Sequence, residues 1–212
     1  PAPKGGPRLR ASGCRLWDSD GDVRIDFDMA GGAVLLGHAH PAIESAVSDG
    51  PPQEGAAEAA LTALLPGHAA VRFCAEESQA LPAAIDAARR ATGRRRAAVW
   101  DVTSGAYGGL DDLAAIVVDP LGADPSSLAA VRRAADAAGA VLIFDEGVSA
   151  FRVHESGAQG LSGVSPDLAV FGSALANGRS IGAVAGDIGL IFALDPEDLP
   201  APSLLSLAAA GA

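Results

Sequence analysis

The sequence predicts an α/β fold with a mostly parallel, doubly wound sheet. Short apolar runs (AVRFC, AAVWDV, AAIVVD, AVLIFD, LAVF) alternate with stretches of helical spacing, the order expected of strand–helix–strand units. Several of these runs are apolar throughout, as strands covered on both faces are. Almost half of the 212 residues are apolar, yet only 4% are aromatic. That balance suits helix-on-sheet packing through small residues better than an aromatic-rich sandwich.

Taken in order, residues 1–13 (PAPKGGPRLRASG) read as a flexible arm and 14–212 as one domain. Cys14–Asp18 and Val23–Phe27 flank Ser19-Asp20-Gly21-Asp22 and form a hairpin signal. A Gly-bounded loop, GGAVLLGHAHP, leads into a short helix over Pro41–Val47. Ala56–Leu65 is helical and stopped by Pro66-Gly67. Ala70–Cys74 is a strand, and Glu76–Thr92 a helix closed by Gly93. Arg94–Arg96 is a solvated turn, Ala97–Val102 a strand, Thr103–Gly109 a loop and Ala114–Asp119 a strand. Ser126–Ala138 is a helix with Asp124 or Ser126 at its start and Gly139 past its end. A strand over Ala140–Phe144 ends in Asp145–Glu146, followed by a loop to Pro166. Leu168–Phe171 and Ile181–Ala185 are strands, Asp187–Ala193 a strand or helix start, and Pro202–Ala212 a helix.

Composition narrows the function. A net charge of −11 repels nucleic acid and anionic lipid, so neither is an expected partner. Cys14 and Cys74 stand alone and read as reduced thiols of a cytoplasmic protein. No secretory signal is evident, and no apolar run approaches the ~20 residues of a membrane span. Fourteen of the fifteen basic residues are Arg, and Lys4 is the only lysine.

Candidate chemistry centres on Asp145–Glu146, because parallel sheets build sites from carboxylates at the C-terminal ends of buried strands. The alternative is a solvated strand-end turn. Glu76–Glu77 reads either as an acid/base pair or as favourable charge at a helix N-terminus. Tyr107 reads as a ring platform or an acid. His38 and His40 lack a third ligand nearby, so no metal is expected. Ser173 has no G-x-S-x-G surroundings and is not an expected nucleophile. His154 reads as solvated.

Five pieces in order carry a resemblance: LWDSDGDVRIDFDMAGGAVLLGHAHPAIESAV, VRFCAEESQALPAAIDAARRATGR, SGAYGG, AAGAVLIFDEGVSAFRV…GAQGLSGVSPDLAVFGSALANGRSIGAVAG, and SLLSLAAAGA. Together they resemble class III pyridoxal-phosphate (PLP)-dependent aminotransferases, the branch with glutamate-1-semialdehyde aminomutase. The resemblance runs from about Leu16 to the end. It implies the large domain of fold type I PLP enzymes, with the C-terminal subdomain missing and some internal connections shortened. It places Asp145 against the pyridine nitrogen and Tyr107 against the ring, with Gln159 in a retained Gly-Ala-Gln and Arg152 in a retained Phe-Arg.

The departures from that pattern concern the cofactor. The family's Schiff-base lysine falls on Ser173, whose hydroxyl cannot form an imine. Its phosphate-binding Ser-Gly-Thr falls on Glu76, Glu77 and Ser78, and two carboxylates beside a phosphate dianion are unfavourable. Gly108 replaces the His of the family's Tyr-His-Gly. The resulting expectation is that PLP binding is lost and the chain has no cofactor. The pocket then serves a cofactor-independent acid/base enzyme of isomerase, lyase or cyclase type, acting through Asp145, Tyr107, Glu76 and Glu77 on a small organic molecule. The alternative is a non-catalytic pseudo-aminotransferase that binds another subunit. A homodimer is the expected assembly, and a heteromer with a full-length aminotransferase the variant.

Overall fold

The computed structural model describes residues 8–50, 55–102, 110–195, 197 and 199–212. Two sheets form. The first is a small antiparallel meander of β1 (Arg8–Ser12), β2 (Arg15–Asp18) and β3 (Val23–Ile25). Asp18 closes its tight turn, accepting bonds from the backbone N–H groups of Asp20 (3.1 Å) and Asp22 (2.9 Å). Residues 8–12 thus correct the expectation of a flexible arm. Their backbone pairs with β2 from Ser12 opposite Arg15 to Arg8 opposite Asp18, a constraint that Pro/Gly-rich composition conceals.

The second sheet carries the fold. It consists of β4 (Ala70–Cys74), β5 (Arg96–Trp100), β6 (Leu113–Val118), β7 (Val141–Asp145), β8 (Leu168–Phe171) and β9 (Gly182–Gly186), in the order β4-β9-β8-β7-β6-β5. Strands β5 to β8 are mutually parallel, and β9 runs antiparallel to both β8 and β4. Strands β6, β8 and β9 are buried throughout, and β7 is buried up to its last residue. Their unbroken apolar runs follow from that position.

Around the sheets lie α1 (Pro41–Ser48), α2 (Ala56–Leu64), α3 (Glu77–Thr92), α4 (Pro125–Ala138), α5 (Gly157–Ser162), α6 (Ile188–Phe192) and α7 (Leu204–Ala210). The stripe Ala80, Ala83, Ala84, Ala87 and Ala88 lets α3 lie close against the sheet. Asp124 caps α4, accepting bonds from the N–H groups of Ser126 (2.9 Å) and Ser127 (3.0 Å). Of the ambiguous segments, 187–193 resolves as α6, capped by Asp187. The expected loop 147–166 contains α5. Among the described residues no helix is long and apolar enough to cross a membrane.

Candidate acidic site at the ends of β7 and β8

Asp145 is the last residue of β7, and strand alternation turns it away from the fully buried Phe144. Its Oδ1 accepts a bond from the N–H of Gly147 at 3.2 Å. Glu77, the first residue of α3, reaches towards the same place, and the Ser173 N–H donates to its Oε2 at 3.2 Å. Two glycines make this approach possible. A methyl group on Gly147 would stand 2.6 Å from Glu77 Oε1 and 3.3 Å from Asp145 Oδ1, and one on Gly172 would overlap the Glu77 carboxylate. Around them opens a cavity of about 350 Å3 whose lining includes Glu77, Ser78, Leu81, Asp145, Gly147 and Phe171. Phe151 stacks behind Phe171, with ring centroids 6.0 Å apart. Burial raises the Asp145 pKa above the usual carboxylate range, and Asp119 and Glu77 add to the rise, against the bond from Gly147.

The structure thus brings Asp145, Glu77 and Ser78 to one cavity, with the Ser173 backbone beside it. Glu76 does not line that cavity. It precedes α3, with its N–H bonded to Gln79 Oε1 (3.0 Å) and its carboxylate to the Ser78 hydroxyl (3.3 Å). Gln159 does not line it either; its side chain is buried against His68 at 2.9 Å. Tyr107 lies outside the described residues. The acidic pair itself divides. Glu146 turns inward, only 1% exposed, and holds the Ser149 hydroxyl (2.5 Å) and the Ala158 N–H (2.7 Å). It ties the loop after β7 to α5, and burial raises its pKa.

Asp119, immediately after β6, was missed as a contributor to this electrostatics. Its signal was present: AAIVVD has the same apolar-run-then-carboxylate form as VLIFD. His38 pairs with Asp26 at 2.8 Å, and among the described residues no three His, Cys, Asp or Glu side chains form a metal cluster. Burial pushes the Cys74 thiol up to about 11, which leaves it unreactive.

No family model matches the chain. The glutamate-1-semialdehyde 2,1-aminomutase of Chloroflexus aurantiacus is 30% identical over 84% of this chain and 54% of its own length. That of Bordetella avium is 30% identical over 91% of this chain and 60% of its own. An omega-transaminase from Sphaerobacter thermophilus superposes over the whole chain and 66% of its own, with a TM-score of 0.82 and 29% identity. A transaminase solved with PLP bound superposes over 99% of the chain, with a TM-score of 0.83 and 28% identity. Its homologues and structural neighbours are class III PLP-dependent aminotransferases. The fold is that of the fold type I enzymes, and the chain spans about half the length of the curated relatives it matches. The alignment with the Chloroflexus protein runs over 241 positions while taking in 84% of 212 residues, so that relative carries internal residues absent from this chain.

These relatives correct the expectation of no cofactor: they point to PLP. The described residues fit that group in part. A carboxylate at the end of β7, faced by a cavity, fits a protonated ring nitrogen. Carboxylate rather than amine stands over the Gly172–Ser173 turn, which fits an ammonium group and not a covalent link. Glu76 and Glu77 at the start of α3 do not fit a phosphate dianion.

Proposed function

We propose that this chain is an aminotransferase-fold protein whose acidic cavity takes pyridoxamine, the aminated form of the cofactor without its phosphate, with no covalent bond, and serves chemistry on a small molecule. The observation that supports this reading is the placement of Glu77. Its carboxylate lies over the Gly172–Ser173 turn and shares a cavity with Asp145, so two anions face a ligand with two cationic positions. Asp145 is the residue for the ring nitrogen and Glu77 for the exocyclic ammonium. When bound, the pyridine ring supplies an electron sink. Val170 and Phe171 wall the cavity, and Glu146 fixes the loop that carries Gly147.

Asp145 and Glu77 also support proton transfer to and from the small molecule. Burial raises the Asp145 pKa, and both carboxylates line the same cavity, within reach of a bound molecule's exchangeable proton. This is the part of the isomerase, lyase or cyclase reading that carries over.

Fluorescence titration with pyridoxamine, its 5′-phosphate and PLP tests the binding. Saturable pyridoxamine binding is expected, weakened about tenfold or more in Asp145→Asn and in Glu77→Gln through loss of a charge-assisted bond. The phosphate should add no affinity. Absence of pyridoxamine binding, or full affinity in Asp145→Asn, overturns the reading.

A further inference from the structure

Helix α3 carries a proline past its first turn, Pro82. A proline there has no N–H for the carbonyl four residues earlier, and its ring crowds that carbonyl, so an interior helix proline destabilises the helix. The carbonyl is that of Ser78. Ser78 and Pro82 both line the acidic cavity, as positions four apart share a helix face. The proline thus leaves a backbone acceptor at the cavity without its helical donor.

The other polar groups around the cavity are already engaged or anionic. Three donors are spent on carboxylates: the Ser78 hydroxyl on Glu76 (3.3 Å), the Gly147 N–H on Asp145 (3.2 Å) and the Ser173 N–H on Glu77 (3.2 Å). Among the described residues that line the cavity none is Arg, Lys or His. A ligand therefore meets acceptors: the Asp145 and Glu77 carboxylates and the Ser78 carbonyl. A phosphate dianion brings only acceptors of its own, whereas a hydroxyl brings a donor. In pyridoxamine the ring nitrogen and the exocyclic amine stand at opposite ends of the ring. The donor left over is the 5′-hydroxyl, because the ring oxygen of the protonated ring is an oxyanion with no proton to give.

We infer that the Ser78 carbonyl, left open by Pro82, accepts the 5′-hydroxyl of the bound molecule, and that Pro82 thereby makes the cavity select a ligand with a hydroxyl donor on that arm. This role rests on the reading that the cavity takes pyridoxamine.

Fluorescence titration of the wild type and of Pro82→Ala with pyridoxamine and with its 5′-deoxy analogue, whose arm is a methyl group, tests it. The wild type is expected to bind pyridoxamine at least about tenfold more tightly, because the analogue displaces water from the carbonyl without replacing its bond. In Pro82→Ala the new N–H takes the Ser78 carbonyl, and the preference should fall below about threefold. Urea denaturation supplies a readout that needs no ligand: Pro82→Ala should unfold at a higher urea concentration than the wild type, since α3 regains a bond. Equal binding of the two molecules by the wild type, or an undiminished preference in Pro82→Ala, overturns the role of Ser78 and Pro82 and leaves pyridoxamine binding intact. A Pro82→Ala chain no more stable than the wild type shows that the carbonyl was not open, and overturns it too. Absence of binding by either molecule overturns the pyridoxamine reading itself, and this role with it.

Discussion

At the scale of single residues, the sequence placed Asp145 at a strand end but could not separate it from Glu146. The two are adjacent and chemically alike, and only the path of the chain sends one to a cavity and the other into the core. Their shared property is a pKa raised by burial, and the sign of its effect on stability follows directly. Between the ordinary carboxylate range and the raised values, the folded chain holds protons that the unfolded chain has released. Their contribution to stability therefore falls as pH rises through that window. Asp26 and Asp124 are shifted the other way, chiefly by bonds from His38 and from Ser126 respectively. Their contribution is lost at lower pH, below the ordinary range. Urea denaturation should show that Glu146→Gln gains relative to wild type as pH rises from mildly acidic to neutral. A wild-type-minus-variant difference that is flat with pH would contradict the burial of a charged Glu146. Ser173→Lys probes the neighbouring turn: an amine beside Asp145 should give a borohydride-fixable adduct with PLP that peptide mapping places at residue 173. Labelling at Lys4 alone would contradict the placement of this turn at the cavity.

Elements were legible wherever burial or capping dictated the sequence. AAIVVD and VLIFD are apolar because β6 and β7 are covered on both sides, and Gly93 and Gly139 close α3 and α4 in the left-handed conformation. The six residues of α5, GAQGLS, contain two glycines and no helical stripe. Their helix begins where Glu146 accepts the Ala158 N–H, a contact twelve residues distant and invisible to local pattern. The antiparallel direction of β9 is likewise a property of the sheet and not of GAVAG. Packing predictions belong here. Phe144 is fully buried and Phe27 is 92% exposed. Phe144→Ala should cost about 3–5 kcal/mol by urea denaturation, and Phe27→Ala within about 0.5 kcal/mol. A loss below about 1 kcal/mol for Phe144→Ala would contradict its place in the core.

For the whole molecule, the order of pieces was enough to read the fold, because a doubly wound sheet leaves few ways to arrange those strands. The cofactor was misjudged from the same residues. Ser173 and Glu76–Glu77 read as losses in the sequence, whereas the structure brings the Glu77 carboxylate to the Gly172–Ser173 turn. On the proposed reading, that carboxylate favours a cationic group of the ligand at this point. The most direct measurement is a crystal structure of the chain soaked with pyridoxamine. The account predicts ring density in the cavity beside Phe171, with the ring nitrogen within hydrogen-bond distance of Asp145 and the amine beside Glu77. A cavity without ligand at saturating pyridoxamine, or a ring turned with its nitrogen away from Asp145, would contradict it.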